Sequence, residues 1–136
     1  MSARSKARKA ALDLLYESDI RGRPVSEVLA ARILQVEYPI REFTQSLIAG
    51  VSEHRTRLDE IISMRAKSWD LDRMPVLDRN ILRLGAYEIL WGGDVSTSVA
   101  IDEAVELAKM LSTEESPGYI NGVLGAIAEI KDDLAL

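Results

Sequence analysis

Four cations near the start of this sequence and two tyrosines are the residues whose types could bind nucleic acid. Cations contact phosphates, and flat aromatic rings stack on unpaired bases, which contributes about 1–3 kcal/mol per base. Tyr16 and Tyr119 each lie near the end of a predicted helix, and residues 1–9 contain no acid. The alternatives are a solvated, frayed terminus for the cations and a position at the edge of the core for the tyrosines. The four cations are Arg4, Lys6, Arg8 and Lys9.

The charge of the chain is unevenly distributed, which bears on whether an acidic protein can still bind phosphate. The 136 residues carry a net charge of −5, which alone argues against a nucleic-acid binder. Residues 1–93 hold 15 basic and 13 acidic side chains, whereas residues 94–136 hold 2 basic and 9 acidic ones. Charges farther apart than about 8–10 Å are screened at physiological salt, so a local cluster is sufficient. The basic terminus is therefore a candidate RNA contact.

No set of residues in the sequence has the arrangement that catalysis needs. Glu106 with either Asp102 or Glu103 could be an acid–base pair or a set of ligands for a hard cation. On one helix face such carboxylates repel mildly and stay solvated, so a surface role fits them better. His54 is the single histidine and there is no cysteine, which excludes disulfides and cysteine–histidine zinc sites. We expect no enzyme activity, no catalytic residue, no metal and no cofactor.

Apolar residues recur at the spacing of an α-helix through most of the chain, and no segment alternates with the period of a strand. We therefore predict an all-α fold of about seven helices with no sheet. A single compact domain covers residues 1–136, in which residues 1–5 are either ordered or a flexible basic arm. The predicted helices run over about 4–19, 25–36, 39–67 and 75–91, then from a cap at Ser96, Thr97 or Ser98, and finally from Ser116, with one short turn within 69–75.

The predicted helices carry several further expectations. The helix over 75–91 is apolar around most of its circumference, which is typical of a buried central element. Pro39 fits the first turn of the long third helix, and Gly50 should mark a bend or a close crossing within it. Gly118, Gly122 and Gly125 are spaced three or four residues apart in the last helix, where we expect them to allow close packing.

Four segments of this chain, in this order and spacing, resemble the bacterial transcription antitermination factor NusB family. The resemblance implies an all-helical RNA-binding adapter that pairs with the ribosomal protein NusE. With NusE it would bind single-stranded boxA-type RNA in nascent ribosomal RNA transcripts and help an RNA polymerase complex to resist termination. The segments are Ala7–Tyr16, Leu47–Val51, Leu77–Leu90 and Val99–Gly125.

The resemblance also implies roles for individual residues. The family's basic RNA-contacting motif falls on Arg4, Lys6 and Arg8, with Lys9 beside them. Its RNA-contacting aromatic falls on Tyr119, its N-terminal tyrosine on Tyr16, and the acid that modulates RNA binding on Glu115. Asp78 matches an acid that meets NusE, and we expect it to be exposed at the start of the central helix. This chain departs from the family at Ser5, which breaks the basic run, and at Pro117 and Gly118, where some relatives carry a basic residue.

Two other functions and two oligomeric states are compatible with the sequence. The chain could be a purely protein-binding helical adapter, or an RNA-binding accessory domain of the ribosomal RNA methyltransferase type without catalysis. It could be a monomer or a homodimer. Asp13 and Glu17 interrupt the apolar stretch that follows the basic start, so this stretch cannot serve as a signal peptide core or span a bilayer. We expect a cytoplasmic protein that does not contact membranes.

Overall fold

A computed structural model describes residues 1–67 and 69–136, and this part of the chain forms seven α-helices, two short 3₁₀ helices and no strand. The predicted all-α class is confirmed. The 3₁₀ helix Leu71–Arg73 is the short turn expected before the central helix, and the second one is Lys131–Asp133. The α-helices are α1 (Ala3–Arg21), α2 (Val25–Gln35), α3 (Glu42–Glu53), α4 (Arg55–Arg65), α5 (Val76–Trp91), α6 (Thr97–Leu111) and α7 (Ser116–Ile130).

Local sequence signals set several helix ends. The Ser2 side chain caps α1 by accepting a backbone N–H at 3.0 Å. Gly22 ends α1 with a φ of 64°, in the left-handed region that glycine adopts without strain. Ser96, one of the three predicted caps, accepts the N–H of Val99 at 3.3 Å at the start of α6. Pro117 lies in the first turn of α7, as predicted.

The prediction of one long third helix is wrong at its start and in its middle. The helix begins at Glu42, so Pro39 precedes it instead of opening it. It ends at Glu53, and His54 separates α3 from α4 with a φ of −102° and a ψ of 13°. The His54 ring stacks on the Trp91 ring of α5 with centroids 4.0 Å apart. The break is thus stabilised by a contact between residues far apart in sequence.

The helix α5 is the buried centre of the fold, as its apolar pattern predicts. It packs against α1, α3, α4, α6 and α7. Ile81 and Leu82 are completely buried, and burial of such a side chain contributes roughly 1.5–3 kcal/mol. Gly85 lets α7 approach closely, because a Cβ there would lie 2.6 Å from a methyl group of Leu124. The helix α5 therefore fixes where α1, α6 and α7 lie.

The glycine expectations have opposite outcomes. Gly50 lies where α3 crosses α5 closely, because a Cβ at this position would overlap the Tyr87 ring of α5. The prediction for Gly118, Gly122 and Gly125 is wrong, since no atom of another described element lies within 4 Å of a Cβ built at any of them. These three glycines face open space. Among the described residues, no helix is long and apolar enough to cross a membrane.

Candidate nucleic-acid interface

The helix α1 carries five of the residues assigned to RNA and lies antiparallel to α5. Arg8, near the start of α1, pairs with Glu88, near the end of α5, at 2.8 Å. Asp19, near the end of α1, pairs with Arg79, near the start of α5, at 3.2 Å. Tyr16 follows Arg4 by twelve residues, which is about 18 Å along the helix axis. A stacked nucleic-acid strand advances about 3.4 Å per nucleotide, so this length matches roughly five nucleotides.

Arg8 does not reach the surface where a phosphate could bind. Its side chain is 5% exposed, and its guanidinium donates to both carboxylate oxygens of Glu88 at distances of 2.8–3.1 Å. A second carboxylate, Glu103 of α6, lies 3.4 Å away. The surface role expected for Glu103 is wrong, because its side chain is only 24% exposed and also accepts a hydrogen bond from Ser5 of α1 at 2.6 Å. In this structure Arg8 ties α1 to α5 and α6.

Arg4 is half-exposed and held in place from two sides. Its guanidinium pairs with Asp94 in the loop after α5 at 2.9 Å. This hydrogen bond and the positive charge of Arg4 lower the pKa of the Asp94 carboxyl. The Arg4 guanidinium also lies over the Phe43 ring, 4.4 Å from the centroid, and that of Arg8 lies 5.2 Å from the same centroid. Cation–π contacts of this kind orient a guanidinium without removing its charge.

Lys6 and Lys9 complete the basic cluster, and they differ in how free their charges are. Lys9 pairs with Asp13 one turn further along α1 at 3.3 Å. Lys6 is exposed, and no carboxylate of a described residue lies within ion-pair distance of it. Lys6 is therefore the cation of this cluster with the least compensated charge, and Arg4 is the next most accessible.

The two tyrosines lie towards the opposite end of the helix bundle from the basic cluster, Tyr16 on α1 and Tyr119 on α7. Tyr16 is 39% exposed on the outer face. Tyr119 is half-buried in the first turn of α7, and its ring meets that of Trp69 edge-on, with centroids 5.4 Å apart and an interplanar angle of 67°. The Tyr119 hydroxyl is buried and has no hydrogen-bond partner among the described residues. Burial raises the pKa of this hydroxyl, and the nearby carboxylate of Asp78 raises it further.

Asp78 is not exposed, so the expectation of a surface acid at the start of α5 is wrong. Its side chain is completely buried. It accepts hydrogen bonds from Ser112 and, at 2.8 Å, from Ser116, the residues on either side of the turn between α6 and α7. A buried carboxylate needs such donors, and here they fix the turn that presents Glu115 and Tyr119. The sequence could not show this, because both serines are more than thirty residues away.

Glu115 and Tyr119 share a small cavity that the sequence analysis did not find. The cavity has a volume of about 200 Å³ and is lined by Trp69, Glu115, Ser116 and Tyr119. Glu115 is exposed at the start of α7. Trp69 is the first residue of the segment 69–75, for which only a short turn was predicted, and a tryptophan beside Asp70 and Asp72 is a signal in the sequence that could have marked it. We call this space the aromatic cavity.

The structure thus brings the assigned residues together in two groups. Arg4, Lys6 and Lys9 lie at the start of α1. Asp19 at the end of α1 meets the start of α5, and Asp78 there meets the α6–α7 turn. Tyr16 and the aromatic cavity therefore lie at the same end of the helix bundle.

Comparison with known proteins shows which family this sequence and fold match. The model of the NusB family matches residues 5–129. The transcription antitermination protein NusB of Thermobifida fusca is 54% identical over 134 residues, which cover 98% of this chain and 94% of that protein. Another relative, the NusB protein of Nocardioides sp., is 50% identical over 135 residues, or 99% of this chain and all of that protein.

Solved structures show the same fold. NusB of T. maritima superposes with a TM-score of 0.84 at 32% identity, over 98% of this chain and 99% of that one. A crystal structure of the antitermination factors NusB and NusE in complex with dsRNA matches with a TM-score of 0.81 at 28% identity, over 93% and 96% of the two chains. The family model covers most of the sequence, and full-length relatives share about half of their residues with it. This chain therefore belongs to the NusB family.

Proposed function

We propose that this chain is a non-catalytic transcription antitermination factor that binds boxA-type RNA together with NusE. The observation that carries the proposal is the placement of two accessible cations, Arg4 and Lys6, at the start of α1, with Tyr16 and the aromatic cavity at the other end of the helix bundle. It combines accessible cations with exposed aromatic rings, the two kinds of group that bind single-stranded RNA. Family relatives are named as antitermination proteins, and a structure of NusB with NusE contains dsRNA.

The RNA would bind along the outer face of α1 without any bond being made or broken. Lys6 and Arg4 contact phosphates at the start of the helix, and Lys9 adds a weaker contact because Asp13 shares its charge. Tyr16 and Tyr119 stack on bases at the other end, and Glu115 modulates binding there. Arg8 acts as a positioning residue, since its ion pairs orient α1 and the rest of the basic cluster.

NusE would dock on the same end of the helix bundle, close enough for one RNA to touch both proteins. Asp78 contributes to this docking indirectly, through the turn between α6 and α7 that its serine contacts hold in place. If the RNA spans both proteins, each partner strengthens the binding of the other by the same factor. The assembled complex would then join RNA polymerase on nascent ribosomal RNA transcripts in the cytoplasm.

The proposal is tested by fluorescence anisotropy of labelled boxA-type RNA titrated with the protein alone and with NusE. A scrambled single strand and the duplex of the same sequence serve as controls. We expect selective binding to the single strand that tightens when NusE is present. Equal binding of all RNAs, or no binding even with NusE, would instead favour the protein-binding adapter, in which the paired cations of α1 only stabilise the fold.

A further inference from the structure

The aromatic cavity has the size and the walls of a site for one flat ring. Trp69, which is 39% exposed, forms one wall, and Tyr119 forms an adjoining wall, with the two rings in edge-on contact. Because the two rings meet at 67°, a flat group that stacks on one ring presents its edge to the face of the other. An apolar cavity of about 150 Å³ accepts benzene in another protein, so about 200 Å³ accommodates the ring of a nucleobase.

The polar groups around the cavity favour a ligand that donates hydrogen bonds. The Ser116 hydroxyl is buried and committed to Asp78 at 2.8 Å. The Tyr119 hydroxyl is buried as well. The lining also contains Trp69, whose indole N–H only donates, and the exposed Glu115, whose ionised carboxylate only accepts and is the one charged group in the lining. A base that offers acceptors to this carboxylate would be repelled.

Guanine is the base whose edge fits a carboxylate best. Its ring N1–H and its exocyclic N2 amino group are adjacent donors, which match the two oxygens of a carboxylate. Adenine and cytosine place an amino group next to a ring nitrogen that accepts, and uracil has a single N–H between two carbonyl oxygens. Two parallel hydrogen bonds to an ionised acceptor are stronger and more specific than one.

We propose that the aromatic cavity binds one unpaired guanine of the RNA, with Trp69 as a stacking residue and Glu115 as the residue that determines base specificity. This inference rests on the proposed function, because it assumes that RNA reaches this end of α1. It assigns to Trp69 a role that the sequence analysis did not give it. It also explains how one acid on an RNA-binding surface can contribute to selectivity.

The first test uses the fluorescence of single tryptophans. The chain has two, so Trp91→Phe leaves Trp69 as the reporter and Trp69→Phe leaves Trp91, which stacks on His54 away from the cavity. BoxA-type RNA should quench the emission of Trp69 in the first variant, and that of Trp91 in the second should stay constant. Circular dichroism confirms that both variants are folded, and anisotropy of labelled RNA is recorded in the same titrations.

The second test replaces the guanines of the RNA one at a time by inosine, which lacks only the N2 amino group. At one position the wild-type protein should lose about tenfold in affinity, the equivalent of a hydrogen bond to a charged group. Glu115→Ala should bind guanine and inosine RNAs at that position within about twofold of each other. Tyr38→Ala, which removes a tyrosine that is 75% exposed elsewhere on the surface, is the matched control and should keep the tenfold difference.

The outcomes separate the two proposals. Selective RNA binding with unchanged Trp69 emission, or with no guanine position sensitive to inosine in a Glu115-dependent way, overturns the guanine site and leaves the proposed function intact. Binding of the duplex in preference to the single strand also overturns it, because a paired guanine cannot enter the cavity. If no RNA binds even with NusE, the proposed function and the guanine site fail together.

Discussion

Substitution of Arg8 by alanine should destabilise the fold strongly and should not act by removing a phosphate contact. The Arg8 and Glu88 side chains are 5% and 3% exposed, so the change leaves a buried carboxylate without its main partner. Breaking such a pair lowers the free energy of unfolding by about 3–5 kcal/mol, which is a large share of the roughly 5–15 kcal/mol that stabilises a typical domain. For a chain of this size, we expect the melting temperature to fall by about 10–20 °C.

The assay combines urea unfolding followed by circular dichroism with RNA binding at several salt concentrations. The double variant Arg8→Met with Glu88→Leu removes both buried charges and should recover most of the lost stability, because apolar residues can replace a buried pair. Its RNA affinity should depend on salt as steeply as that of the wild type. Arg4→Ala is the control at an accessible cation and should change stability little. It should make RNA affinity less dependent on salt, with the slope of log K against log salt smaller in magnitude by about 0.7.

The reasoning would be refuted by the reverse pattern. If Arg8→Ala unfolds at nearly the wild-type urea concentration and the slope of log K against log salt drops by about 0.7, Arg8 faces phosphates in solution. The buried pair with Glu88 would then not describe the protein that binds RNA.

Three further predictions concern single contacts. Asp94→Asn should free the Arg4 charge and strengthen RNA binding at low salt, which anisotropy measures, whereas unchanged affinity would show that Arg4 is not at the RNA. Burial tends to raise the pKa of Asp19, but hydrogen bonds from Asn80 and Arg79 and the charges of nearby arginines outweigh it and lower that pKa. Asp19 therefore adds stability above its unfolded pKa of about 3.9 that is lost as pH falls towards the folded value. Acid titration of Asp19→Asn should show a smaller loss between about pH 5 and pH 3 than the wild type, and an equal loss would contradict the lowered pKa. Gly50→Ala should lower the free energy of unfolding, measured in urea, by about 1–3 kcal/mol, because the new methyl group overlaps the Tyr87 ring of α5. The control is Gly125→Ala, which adds a methyl group in open space and should leave stability unchanged or raise it.

The parts of the fold that were predicted correctly depend on local signals. The central helix is apolar on most sides, and Ser96 and Pro117 occupy positions where a hydroxyl or a proline marks a helix start. The break at His54 was missed because apolar residues keep their helical period on both sides of it. What ends α3 there includes the stack on Trp91, a contact that no local pattern encodes.

The candidate site shows the same division between local and long-range information. The cations and Tyr119 could be placed on predicted helices, because the sequence gives the residue types and its local patterns predict where helices begin and end. The sequence could not predict which cations form ion pairs. Arg8 pairs with Glu88, eighty residues away, and with Glu103. The burial of Asp78 likewise depends on serines beyond α6.

The central claim is that RNA lies along the outer face of α1 and ends at the aromatic cavity. The most direct measurement is the change in backbone amide NMR shifts of this 136-residue chain when boxA-type RNA is added. The account predicts the largest changes around Lys6, Tyr16, Glu115 and Tyr119, and little change at Tyr38 in the segment between α2 and α3. Changes centred on Tyr38, with α1 and the start of α7 unaffected, would contradict it.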